Sequence, residues 1–144
     1  MGFHLVQILL DGITFNDDYF ITEILEPINE MTSSLREKSR QNLILHFDNA
    51  RPRVSKKVME YLNFHNIERA PQPPYSPDIA PSYFFLFEYV KGLFAGRSFQ
   101  SADELFSAVM EILSEISEKT LMRVFNEWEE RLNQVTLLNG EYIE

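Results

Sequence analysis

Asp48 is the residue whose type and position in the sequence most favour chemistry. It directly follows the apolar segment 43–47, which is typical of a buried strand, and it precedes the turn-forming sequence Asn-Ala-Arg-Pro at 49–52. A carboxylate at the carboxyl end of a strand in an open α/β sheet is well placed to bind a hard metal ion. An aspartate in that position also forms turns through its own side chain, so both interpretations stand at this point.

Other kinds of catalytic site have no support in the sequence. Cysteine is absent, which excludes disulfides, thiolate metal sites and cysteine nucleophiles. The three histidines, His4, His46 and His65, are scattered and lack metal-ligand spacing. Neither a glycine-rich phosphate loop nor a Gly-x-Ser-x-Gly elbow is present, so phosphate-loop and serine hydrolase chemistry are not indicated.

A cluster of four basic residues follows Asp48: Arg51, Arg53, Lys56 and Lys57. Such a cluster contacts nucleic-acid phosphates or forms the solvated face of a helix. The net charge of −9 argues at first sight against a nucleic-acid partner. However, residues 101–144 hold ten acids against three bases, so −7 of that charge belongs to them and only −2 to the first hundred residues. The charge of the whole chain therefore says little about what the basic cluster touches.

The first third of the chain predicts a strand, a helix and a connection. The apolar run Phe3–Leu10 predicts a buried strand that ends at an Asp-Gly turn. Asn16 predicts the N-cap of an apolar-periodic helix, which Pro27 is expected to kink or end. Thr32–Gln41 has no periodicity and predicts a surface connection.

The middle of the chain predicts a strand–helix–strand unit. A strand is expected over Leu43–Asp48, a helix with apolar residues at 54, 58, 61 and 62 on its buried face, and a short strand over Ile67–Ala70. This order predicts an α/β unit with parallel strands. Five prolines between Pro71 and Pro81 exclude a helix or a central strand from that stretch.

Three helices are predicted after the proline-rich stretch. Ser82 predicts the N-cap of the first helix, and Ser101 with Glu104 forms a capping box for the second. The third carries apolar residues at 121, 124, 125, 128, 132 and 135 and is expected to end at Gly140. With 144 residues, no apolar run of transmembrane length and no leader pattern, the sequence predicts a single domain, 1–144, without a membrane partner.

Several long motifs resemble the catalytic domain of mariner-type transposases. They are LILHFDNARPRVSKKVMEYL, PPYSPDIAPSYFFLF and KGLFAGRSFQSADEL, and GFHLVQILLDGITFNDDYFITEILEPINE is similar to the segment before them. The resemblance covers essentially the whole chain. The pairing of His-x-Asp-Asn-Ala-Arg-Pro with Tyr-Ser-Pro-Asp-x-Ala-Pro-Ser is specific. Such transposases belong to the DDE/DDD superfamily of endonucleases and have a ribonuclease-H-like fold.

The resemblance implies phosphodiester cleavage and strand transfer at transposon ends, by three carboxylates that hold two magnesium ions. It assigns the second acid, and hence a magnesium ligand, to Asp48. The third acid is expected directly after Ala-Pro-Ser, where this sequence has Tyr83, and Glu88 lies five positions further along, on another helix face. The first acid is expected upstream of the segment that matches from Gly2, and Asp11 is interpreted as a turn residue.

We therefore expect an α/β, partial ribonuclease-H-like fold that lacks its first two strands and is followed by carboxyl-terminal helices. The expected function is that of a fragment of a transposase catalytic domain, inactive because the first acid is absent and Tyr83 replaces the third. The alternative is a non-catalytic nucleic-acid-binding or dimerisation module with DNA contacts at Arg51, Arg53, Lys56 and Lys57. A further possibility is one piece of a longer gene product.

The resemblance also implies DNA as the partner and, in a eukaryote, the nucleus as the location. Without the two central strands, the strand over Leu43–Asp48 is expected to expose an apolar edge. Exposed edges invite pairing with other chains, so the sequence predicts marginal stability or self-association, including a possible homodimer.

Overall fold

The computed structural model describes residues 6–7, 9–39 and 43–137, with the backbone alone for 34–39. These residues divide into two compact units, one within 7–74 and the other within 1–6 and 75–144. The single domain predicted for 1–144 stays a prediction, since compact units can still fold cooperatively. In the part of the chain that the structure describes, no helix is both long and apolar enough to cross a membrane.

A continuous helical segment opens the first unit. It consists of α1 (Asp17–Tyr19), a π-helical segment (Phe20–Leu25) and α2 (Glu26–Ser39). The predicted cap is confirmed, because Asn16 Oδ1 accepts a hydrogen bond from the Tyr19 N–H at 2.8 Å.

The helix does not end at Pro27, contrary to one of the two predicted effects of this proline. Pro27 is the second residue of α2 and lies two residues beyond the end of the π-helical segment. The hydrogen-bond register changes near that junction. The absence of a backbone N–H at proline is therefore tolerated there better than in the middle of a regular helix.

The surface connection predicted for Thr32–Gln41 is wrong over Thr32–Ser39, which is helical, while residues 40 and 41 lie outside the described residues. Thr32 Oγ1 donates to the Ile28 carbonyl at 2.8 Å, and Ser33 Oγ donates to the Glu30 carbonyl at 2.8 Å. These hydroxyls therefore bond within the helix instead of competing with it.

The strand predicted over Phe3–Leu10 is described at only four of its residues, Val6, Gln7, Leu9 and Leu10, and these four form no strand. The other residues of that run lie outside the described residues. The predicted Asp-Gly turn is confirmed, since the Ile13 N–H bonds to the Leu10 carbonyl at 3.1 Å and Gly12 has φ +80°.

Two short strands form the described sheet. β1 (Ile44–His46) and β2 (Glu68–Ala70) pair in parallel, with Leu45 opposite Arg69. The predicted strand–helix–strand order is confirmed, because α3 (Lys56–Phe64) lies between them in the chain, although both strands are shorter than predicted. Ile44 is 57% exposed, and the predicted self-association stays a prediction.

The core of the first unit lies between the helical segment, α3 and the start of β2. Leu25 and Val58 are its most completely buried side chains, at 1% and 0% exposure. They pack with Phe20, Ile21, Leu62 and Ile67, and Leu43, Leu45 and Phe47 flank this cluster. The buried face predicted for α3 is confirmed at Val58 and Leu62.

The second unit is helical in its described part. A π-helical segment (Ser82–Phe87) leads into α4 (Glu88–Phe94), followed by α5 (Ala102–Glu115) and α6 (Glu118–Leu137). Its core cluster contains Leu113, Ile116 and Leu121.

The two predicted caps of this unit have different outcomes. Ser101 Oγ accepts from the Glu104 N–H at 3.1 Å, which confirms Ser101 as the N-cap of α5. The second bond of the predicted capping box differs, because Glu104 Oε2 accepts from the N–H of Gln100 and not from that of Ser101. Ser82 is not a cap, because the helical segment starts one residue earlier, with Pro81 at its boundary and no side-chain cap. Gly140 lies outside the described residues.

Candidate functional site around Asp48

Asp48 lies two residues beyond β1, and its side chain is 28% exposed. Its Oδ1 accepts a hydrogen bond from the Ala50 N–H at 3.0 Å, which closes a turn. The same oxygen pairs with Arg53 Nη1 at 2.7 Å. The turn-forming role left open by the sequence is therefore present in the structure, together with an ion pair that the sequence did not reveal.

Arg53 is held by more than this ion pair. It ends a 3-10 turn (Arg51–Arg53), in which its N–H donates to the Ala50 carbonyl at 2.8 Å. Its guanidinium carbon lies 5.3 Å from the centroid of the Phe15 ring, within the range of a cation–π interaction. The charged head of Arg53 thus lies between a carboxylate and an aromatic ring.

Asn49 links the end of β1 to β2 and to the segment after it. Its Nδ2 donates to the Gln72 carbonyl at 2.6 Å, and its Oδ1 accepts from Arg69 Nη2 at 2.7 Å. Arg69 also lies 5.0 Å from the Phe47 ring centroid. Sequence reasoning missed Arg69 and Gln72. The signal that could have found them is the parallel pairing, which brings the end of β2 and the residues after it beside the residues that follow β1.

His46 is part of the same polar group and favours its neutral form. Burial lowers the pKa of His46, a hydrogen bond with Gln72 opposes this effect, and the positive charge of Arg69 lowers the pKa further. A neutral imidazole is compatible with the two arginines that already lie near the end of β1.

Three of the four predicted DNA-contacting residues face an acid. Besides Arg53, Lys57 forms a hydrogen bond with Asp18 that raises the pKa of the lysine, and Lys56 Nζ lies 3.6 Å from Glu60 one helical turn away. Arg51 is exposed, and its side chain makes no ion pair within the described residues. Opposing carboxylates therefore reduce the positive potential of this cluster.

Tyr83, at the predicted third-acid position, lies in the second unit on the π-helical segment Ser82–Phe87. It is 39% exposed, and its ring packs edge-on against Phe87 at 5.3 Å between centroids. Glu88, the nearest acid in the sequence beyond it, forms an exposed ion pair with Lys91 at 3.1 Å. No carboxylate occupies the segment 82–87.

Helix α6 holds the Tyr-Ser-Pro-Asp motif of the second unit. Trp128 Nε1 donates to the Ile79 carbonyl at 2.7 Å, and Arg131 Nη1 donates to the Asp78 carbonyl at 3.0 Å. Arg131 also lies 4.3 Å from the Phe84 ring centroid. Trp128 and Arg131 are three residues apart, so they share one helix face, but their partners could not be predicted from the sequence.

The described residues do not fit a two-magnesium centre. Within 6–7, 9–39 and 43–137, no group of three or more His, Cys, Asp or Glu side chains could hold a metal ion. Asp48 Oδ1 is bonded to Arg53 and to the Ala50 N–H, and the third-acid position holds Tyr83. Asp11, weighed as an early acid, lies in the confirmed Asp-Gly turn.

Two curated proteins are similar in sequence to this chain, whereas no family model matches it. The human histone-lysine N-methyltransferase SETMAR is 28% identical over 124 residues, which cover 83% of this chain. The mariner Mos1 transposase of Drosophila mauritiana is 27% identical over 108 residues, which cover 75% of it. The matched region spans only 18% and 31% of the length of these relatives.

The fold is similar to that of the Mos1 mariner transposase catalytic domain. Its crystal structure superposes with a TM-score of 0.83 at 26% identity, covering 92% of this chain and 66% of that one. The same domain has been solved with raltegravir and manganese or magnesium, and Mos1 has been solved as a paired-end complex with manganese. The resemblance to mariner-type transposases and the α/β, partial ribonuclease-H-like fold are confirmed.

Proposed function

Because the chain is similar in sequence and fold to the catalytic domain of a mariner transposase, we propose that it is a fragment of such a domain that does not cleave DNA. Two-metal cleavage of a phosphodiester needs several carboxylates that bind both ions and align the scissile phosphate. Of the acids that the family resemblance requires, only Asp48 has a match in this sequence.

The observation that supports this proposal is Tyr83 at the third-acid position. Magnesium prefers charged carboxylate oxygens, and a phenol supplies neither the charge nor the geometry. The ring of Tyr83 also packs against Phe87, so its position is that of an aromatic packing residue. Mos1 structures contain manganese or magnesium, and we propose that this chain has lost that capacity.

Metal binding tests the proposal without an activity assay. In equilibrium dialysis against Mn²⁺, we expect the wild-type chain to retain no more metal than Asp48→Ala. Asp103→Ala, which removes an exposed carboxylate at the start of α5, controls for diffuse binding to the acidic surface. One or two Mn²⁺ ions per chain that are lost in Asp48→Ala and kept in Asp103→Ala would overturn the proposal.

A second candidate function is non-catalytic contact with DNA. It is favoured by the exposure of Arg51 and Lys56, and by the similarity to Mos1, which has been solved as a paired-end complex. Arg53 and Lys57 are less available, since phosphate contact at either requires breaking an ion pair with Asp48 or Asp18.

Salt dependence tests this second candidate. If Arg51 and Lys56 each contact one phosphate, reversing both charges to glutamate should weaken binding of duplex DNA and lower the slope of log K against log salt by about 2. Lys119→Glu with Arg123→Glu on α6 is the matched control. Fluorescence anisotropy at several salt concentrations measures both quantities. Equal losses in the two double variants, or binding that salt does not affect, would remove this candidate.

A further inference from the structure

We propose that Arg53 is the permanent counter-ion of Asp48 and occupies the position that a divalent cation would need at that carboxylate. This inference deepens the proposed function, on which it rests, since it gives a physical reason why the surviving family acid binds no metal. It also reassigns Arg53 from a candidate DNA contact to a residue that neutralises and positions Asp48.

The first support is the hydrogen bonding of Asp48 Oδ1. This oxygen receives Arg53 Nη1 at 2.7 Å and the Ala50 N–H at 3.0 Å, so it already has two donors, one of them charged. A metal ion bound at Oδ1 would displace the guanidinium or lie within a few ångströms of it. Two cations at that separation repel each other strongly in a partly buried site.

The second support is that Arg53 is anchored independently of Asp48. Its backbone N–H is bonded to the Ala50 carbonyl, and its guanidinium lies over Phe15, just before α1. Both side chains are about one-third exposed, at 34% for Arg53 and 28% for Asp48. Holding the guanidinium of Arg53 at the carboxylate of Asp48 therefore costs little additional side-chain conformational entropy.

The third support is that the ion pair between Asp48 and Arg53 connects several segments of the first unit. Asp48 follows β1, the turn Arg51–Arg53 leads into α3, and Phe15 precedes α1. The pair thus joins three segments of the first unit beside its core. In this arrangement the carboxylate contributes to stability, whereas a catalytic carboxylate must be available to metal and substrate.

A double-mutant cycle in the whole chain tests the inference. We expect Asp48→Asn and Arg53→Gln each to lower Tm by roughly 3 °C and the double variant to lower it no further than the larger single change. Arg51→Gln, which removes a neighbouring guanidinium that makes no ion pair within the described residues, should shift Tm less. Mg²⁺ should leave the Tm of the wild-type chain unchanged. Additive losses in the cycle, or a Tm that rises with Mg²⁺ in the wild type but not in Asp48→Asn, would overturn the inference.

A further variant tests the ion pair if Asp48→Asn does not fold, and metal binding and cleavage separate the counter-ion role from the proposed function. If Asp48→Asn does not fold, Arg53→Lys replaces it: a Tm between those of the wild type and Arg53→Gln supports the pair, and a Tm equal to that of Arg53→Gln overturns it. An additive cycle without metal binding refutes the counter-ion role and leaves the proposed function standing. Metal-dependent cleavage refutes the proposed function whatever the cycle shows.

Discussion

Replacing Leu25 with alanine is expected to lower the free energy of unfolding of the chain by about 3 kcal/mol. Leu25 is 1% exposed and packs in a cluster with Val58 and Leu62 of α3. Truncation removes the transfer free energy of the lost methyl groups and leaves a cavity. The rigid helices around that cavity can collapse into it only in part.

Urea unfolding followed by far-ultraviolet circular dichroism measures this loss, and the midpoint should fall by about 1.5 M for an m-value near 2 kcal/mol/M. Met31→Ala is the matched control, because Met31 is on α2 and is 43% exposed. Its effect should stay within about 0.5 kcal/mol. A loss below 1 kcal/mol for Leu25→Ala would contradict the packing described for this core.

The parts of the fold that local sequence could predict are those with strong local causes. Asn16 and Ser101 cap helices as expected, because a side-chain oxygen two or three residues before free N–H groups needs no distant partner. The parallel pairing of β1 and β2 followed from the strand–helix–strand order, which allows few other topologies.

The sequence-based predictions were wrong where neighbouring structure compensates for residues that usually interrupt a helix. Pro27 should interrupt a helix, yet the adjacent π-helical segment shifts the hydrogen-bond register at that point. Thr32 and Ser33 are typical of loops, yet their hydroxyls donate hydrogen bonds to backbone carbonyls one helical turn earlier. Such compensation depends on conformations that already exist in the helix, so composition and periodicity cannot reveal it.

At the site around Asp48, too, position along the chain could be predicted but side-chain contacts could not. The position of Asp48 beyond a strand could be predicted from the sequence, whereas its role as the second acid is implied by the motif resemblance and stays a prediction. The pair with Arg53 was not predicted, although Arg53 is only five residues away, because the sequence does not show that a 3-10 turn brings the guanidinium back to the carboxylate. The contacts from Trp128 and Arg131 to the Tyr-Ser-Pro-Asp motif, 49 and 53 residues apart, lie further beyond local reasoning.

These contacts change the interpretation of the basic cluster. The sequence alone left open whether these four cations contact phosphates or form a solvated helix face. In the structure, Arg53, Lys57 and Lys56 lie beside Asp48, Asp18 and Glu60. Partly buried pairs resist competition from phosphate more than exposed ones do, so Lys56 is the most available of the three. The family resemblance therefore does not transfer DNA contact to each basic residue equally.

Loss of cleavage is the second large effect that we expect. A two-metal centre lowers the activation barrier of phosphodiester cleavage because the ions position the attacking and the leaving oxygen and stabilise their negative charge. A site without its full set of carboxylate ligands is therefore expected to lose most of the rate acceleration. Because Tyr83 stands at the third-acid position and Arg53 pairs with Asp48, we expect this chain to lack carboxylate ligands that two-metal cleavage needs. We therefore expect that adding divalent metal to the buffer does not produce cleavage.

Nicking of supercoiled plasmid by the purified chain in Mg²⁺ or Mn²⁺ is the measurement that tests this most directly. We predict that the wild type, Asp48→Ala and a sample with EDTA convert the plasmid to the open circular form at the same background rate, while a metal-dependent nuclease included as a positive control cleaves it. Nicking by the wild type that requires the divalent metal and disappears in Asp48→Ala would contradict the proposed loss of catalysis.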